Sequence, residues 1–149
     1  MSKVQYPDRF GACTILTPDC IAFLEQLSAI FEPKRQALLE KRREFQAYLD
    51  NGGILDFLPE TEYIRKANWT VAPIPKKLLD RTIEITGPVD RKMIINALIS
   101  EADGFMADFE DATSPTWENL ISGQINLRDA INNAISYHYS ETNKTITLK

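Results

Sequence analysis

The chain predicts an α/β fold with a helical first half and a strand–helix–strand unit in the second. Before Trp69, apolar residues recur at three- and four-residue steps, the signature of amphipathic helices. After Arg81, two short apolar runs, Thr82 to Thr86 and Phe105 to Phe109, flank an amphipathic stretch from Asp90 to Ser100. A strand, a helix and a second strand in that order make a βαβ unit with parallel strands. The change of pattern divides the chain into regions 1–75 and 76–149.

Composition narrows the class. The 149 residues are 44% hydrophobic and 26% charged, the balance of a soluble globular protein of one domain. A formal charge of -4, with no Lys/Arg cluster interleaved with aromatics, argues against nucleic acid as a partner. Two cysteines, Cys13 and Cys20, and one histidine, His138, are too few for a disulfide framework or a His/Cys metal site. Reduced thiols, no apolar run of membrane-spanning length and no signal-peptide pattern at the start predict a cytoplasmic chain that engages no membrane.

Thr17-Pro18-Asp19 opens the first helix: Thr17 caps free N–H groups, Pro18 fits the first turn, and Asp19 faces the positive end of the helix dipole. Its apolar face is Ile21, Leu24, Leu27, Ile30 and Phe31. Pro33 is read as the start of a second helix, which Gly52-Gly53 ends, and Lys41, Arg42 and Arg43 as its solvated face. A short helix from Glu60 to Ala67 and an extended connector from Trp69 to Pro75 follow. Beyond the βαβ unit come helices at Thr116 to Ile121 and Asn126 to Ile135, then a β-hairpin from Ala134 to Tyr139 and Lys144 to Leu148. Two parallel strands bury too little apolar surface to stand alone, so the second region looks incomplete, with exposed edges at Ile83-Ile85 and Phe105-Met106-Ala107.

The chemistry-bearing feature is Asp108-Phe109-Glu110-Asp111, three acids at the end of an apolar strand. Unpartnered buried carboxylates are costly, and ligands in α/β folds bind at the carboxyl ends of parallel strands. The acids therefore either surround a metal or charged reactant, or serve the backbone: Asp111 caps the helix that Ser114-Pro115 begins, and the others pair with cations. Gly87-Pro88-Val89-Asp90 makes the turn into the next helix, with Asp90 capping Met93 or its neighbours. Arg91 and Lys92 in that first turn oppose the dipole, an arrangement that leaves room for an acidic or phosphate partner nearby without requiring one. Trp69 and Trp117 are read as packing anchors and His138 as a surface strand residue.

The run Ile85-Thr-Gly-Pro-Val-Asp-Arg-Lys-Met93, with Asp108-Phe-Glu-Asp111 and Gly123-Gln-Ile-Asn-Leu-Arg-Asp-Ala130, resembles the N-terminal portion of A-type malate synthases. The resemblance extends from about Leu16 to Lys149. It implies a helical clasp over 1–75 and the first two strands of a (β/α)8 TIM barrel over 76–149, the barrel being truncated. It also implies condensation of acetyl-CoA with glyoxylate to malate and CoA, with Mg²⁺ as cofactor. On that template Asp108 and Glu110 act behind the metal-bound water and the catalytic arginine, and Val71 and Ala112 border acetyl-CoA. The arginine, the aspartate base and the magnesium ligands of the family fall outside these residues, so the chain is expected to be inactive without the remaining barrel and C-terminal plug. The alternative is a non-catalytic helical interaction module or gene remnant.

Overall fold

The computed structural model describes residues 4–148. It is a helix-rich α/β chain with one small parallel sheet, divided into two compact units, residues 22–74 and residues 4–21 with 75–148.

The first unit is dominated by α1, Pro18–Asp50, a 33-residue helix whose first residues belong to the second unit. The Cys20 N–H reaches Thr17 Oγ1 at 3.2 Å, so Thr17 is the cap its sequence position predicts. The expected break at Pro33 does not occur, and α1 runs through the proline. Proline in a helix interior forfeits one backbone hydrogen bond and costs about 3 kcal/mol. Helical segments on both sides are already formed, and continuing a helix is easier than nucleating a new one. Side chains bridge the weak turn: Arg35 Nε and Nη2 each donate to Glu32 at 2.7 Å, and Gln36 Nε2 donates to Glu32 at 2.6 Å. The helix stops in a Schellman motif: Gly52, at φ 86°, donates to Leu49 O, and Gly53 donates to Tyr48 O. A 3-10 turn, Pro59–Thr61, leads into the short α2, Glu62–Lys66, and the segment from Trp69 to Pro75 is irregular and exposed. Trp69 is not the packing anchor expected of it. It is 60% exposed, and its Nε1 donates to Ile64 O.

In the second unit, β1 (Glu84–Pro88) and β2 (Gly104–Asp108) pair in parallel, Glu84 opposite Gly104 and Pro88 opposite Asp108. The crossover between them is α3, Arg91–Leu98, capped by Asp90, whose carboxylate accepts the Met93 N–H. One helix, α4 (Trp117–Ile131), replaces the two expected between Thr116 and Ile135. Gly123, which falls between the two expected helices, lies in mid-helix, where a Cβ would meet Val89 Cγ2 at 2.4 Å and Phe109 Cε1 at 2.9 Å. The glycine lets α4 approach the strand tips. The helix ends at a second Schellman motif, with Asn133 left-handed at φ 54° and Ala134 donating to Asp129 O. The hairpin pairs β3 (Ser136–Tyr139) with β4 (Lys144–Thr147), antiparallel.

The core is Val89, Ile94, Ile95, Ala130 and Ile135, with Phe105, Phe109, Leu127 and Tyr137 packed against it. Residues 4–21, expected within the helical region 1–75, pack with this unit instead. Ala12 is fully buried, Gly11 lies beside Ile125, and Arg128 Nη1 donates to Thr14 O at 3.3 Å.

Candidate functional site

The carboxyl ends of β1 and β2 meet at Pro88 and Asp108. Beyond Asp108 the chain turns sharply, and its carboxylate organises the turn. Oδ1 accepts the N–H groups of Glu110 at 2.8 Å and Asp111 at 3.1 Å, and Oδ2 accepts that of Ala112 at 2.9 Å. The Glu110 amide foremost, with those of Ala112 and Asp111, holds the Asp108 carboxyl below the usual carboxylate range, against the opposing effect of desolvation. Asp108 is thus an ionised acid occupied by its own backbone. Glu110 and Asp111 are exposed beyond the strand end.

Asp111 does not cap α4. Thr116 does, its hydroxyl accepting the Asn119 N–H at 3.1 Å, because the chain runs through Ser114-Pro115 before the helix begins.

A cleft of about 380 Å³ opens beside these tips, lined by the 88–91 turn, Ala112 to Ser114, and Asn119, Ser122 and Asn126 of α4. Its floor is a polar network that sequence reading missed. Buried Asn126 donates from Nδ2 to Val89 O at 2.9 Å and accepts from Arg91 Nη1 at 3.0 Å. Arg91 also donates from Nε to Ser136 O and pairs at 2.8 Å with Asp129, an acid of α4. Lys92 stacks its ammonium over the Tyr139 ring at 4.9 Å. An Asn and an Arg at these positions could signal such a network only once the strand–helix order is known.

The structure therefore brings Asp108, Glu110 and Ala112 into one turn, with Ala112 on the cleft wall. Val71 lies in the other unit and is 79% exposed. Among the described residues no three carboxylate, imidazole or thiolate side chains converge to hold a metal ion. Magnesium demands near-octahedral oxygen ligation. With both Asp108 oxygens engaged by amides, these residues do not by themselves fit that ion. What the turn offers is two exposed carboxylates, Glu110 and Asp111, on a backbone folded around the Asp108 side chain.

Residues 10–63 match the family model described as malate synthase, N-terminal domain. The chain is 56% identical over 123 residues to a malate synthase of Myxococcus xanthus, 83% of this chain and 23% of that protein. It is 50% identical over 135 residues to malate synthase A of Escherichia coli, 91% of this chain and 25% of that protein. A glyoxysomal malate synthase of Cucumis sativus is 47% identical over 144 residues, 97% of this chain and 25% of that protein. The chain thus spans about a quarter of the length of these relatives. By sequence it belongs to the malate synthase family and corresponds to the N-terminal part of its members.

Proposed function

We propose that this chain supplies the N-terminal part of an enzyme that condenses acetyl-CoA with glyoxylate and water to give malate and CoA. Identity of 50% over 135 residues, 91% of this chain, with malate synthase A of Escherichia coli carries the reading. In this reading β1 and β2 are the first strands of a TIM barrel, and the helices of residues 22–74 belong to a clasp. The remaining barrel and plug supply the arginine, the aspartate base and the ligands of Mg²⁺. A magnesium ion held by that remaining segment would supply Lewis-acid polarisation of the glyoxylate carbonyl.

The role of these residues is then positional. Asp108 spends its charge folding the turn, which directs Glu110 away from the strand tip as a hydrogen-bond acceptor for the arginine or for metal-bound water. Ala112 walls the cleft, and Val71 borders acetyl-CoA, consistent with small, exposed apolar groups at both places.

Residues 1–149 alone are expected to release no CoA thiol in a glyoxylate-dependent assay. Joined to the remaining segment of a relative, they should support turnover. In that joined enzyme Glu110→Gln should lower activity or Mg²⁺ affinity roughly 10–100-fold with an unchanged thermal midpoint. Full activity and unaltered metal dependence in Glu110→Gln would remove Glu110 from the site.

A further inference from the structure

Thr113 is polar yet only 6% exposed, and its hydroxyl joins both strand tips. It donates to Asp108 O at 2.6 Å and accepts the Val89 N–H at 3.2 Å. Pro88, opposite Asp108 at the end of the ladder, has no N–H to offer, so the hydroxyl makes the tie just beyond the last strand pair. Asn126 secures the other side of the same residue through Val89 O. Asp108 is consequently gripped twice, by Thr113 at its carbonyl and by the turn amides at its carboxylate.

We propose that Thr113 is a positioning residue whose hydroxyl holds the acidic turn to β1 and so sets the direction in which Glu110 projects. The catalytic consequence rests on the function proposed above, whereas the structural one does not. A methyl in place of the hydroxyl keeps the volume but removes both bonds. Serine keeps both.

Hydrogen exchange by mass spectrometry on the 149-residue chain separates these cases. In Thr113→Val, a peptide covering 109–113 should exchange about three- to tenfold faster, the loss expected for one or two net hydrogen bonds. A peptide covering 92–98 in α3 should be unchanged, and Thr113→Ser should restore the turn. Equal acceleration in both peptides, or no acceleration at 109–113, overturns the proposal. If Thr113→Val fails to fold, Thr113→Ala removes the same hydroxyl without pressing a methyl on the Val89 amide; failure of both means the hydroxyl serves the fold, and also overturns it. In the joined enzyme Thr113→Val should lower kcat with little change in KM for acetyl-CoA, and Thr113→Ser should recover it. Absence of turnover in the unmutated joined enzyme would count against the proposed function, leaving the exchange comparison to decide on Thr113.

Discussion

Residues 22–74 contain no fully buried side chain, whereas every buried apolar side chain among the described residues lies in residues 4–21 and 75–148. The first region is held by neighbours along the helix: Glu32 with Arg35, Glu40 with Arg43, Glu62 with Lys66, all exposed. Such pairs contribute a few tenths of a kcal/mol each. The second region is held by partners distant in sequence, as in Val89 with Thr113 and Asn126. Local rules therefore suffice to draw a helix, but only distant contacts make one position much more costly to change than another.

Truncating the core should show this difference most clearly. Ile94, 0% exposed, should lose about 2–5 kcal/mol on exchange to Ala. Ile30, 65% exposed in α1, should lose no more than about 0.5 kcal/mol. Denaturant midpoints of the two variants measure it, and comparable losses would erase the distinction between the regions.

Glycines sharpen the contrast. Gly123→Ala gains about 1 kcal/mol of helix propensity. It also drives a methyl to 2.4 Å from buried Val89, and overpacking costs about 1–3 kcal/mol. A net loss of up to about 2 kcal/mol in thermal or denaturant stability is expected. Gly53→Ala meets the Tyr48 ring at 2.3 Å, but that ring is half exposed and can swing aside. Its smaller cost should be the loss of the Tyr48 hydroxyl's bonds to Ile54.

The smallest effect is expected from acid. Hydrogen bonds from Arg35 foremost, and from Gln36, lower Glu32 from 4.5 to about 2. Because the folded value is the lower one, the stabilisation is complete above pH 4.5 and disappears as the pH falls toward about 2. Helical circular dichroism should decline slightly across that window, less so in Glu32→Gln and at high salt. Asp108 titrates with the same sign, through backbone amides rather than a neighbouring cation. High salt should therefore leave its share largely intact.

The strand–helix–strand order and the Asp90 cap were legible because each depends on residues close in sequence. Strand limits shifted by one or two residues, β1 ending at Pro88 rather than Thr86, since pairing rather than composition decides where a ladder stops. Pro33, read as the start of a second helix, and Gly123, between two expected helices, both lie inside helices, the one carried through by cooperativity and the other closely packed. The acids at Asp108 to Asp111 stand out in the sequence, but not the binding of the first of them by the amides of Glu110, Asp111 and Ala112. That depends on a backbone reversal no residue type dictates.

The bond from Arg128 to Thr14 O joins residues 114 positions apart within one unit, while α1 and its followers occupy the interval. A ribosome delivers residues 4–21 before α4, so the earlier segment must wait through the synthesis of everything between. At roughly 5–20 residues per second, that wait is on the order of ten seconds. The helix of residues 22–50 needs no such delay, since its bonds close within four residues. Buried Ala12 and half-buried Tyr6, whose ring comes to rest 6.3 Å from that of Trp117, are therefore left uncovered until α4 emerges. A chaperone binding nascent apolar segments would find a target in residues 4–21 throughout that interval.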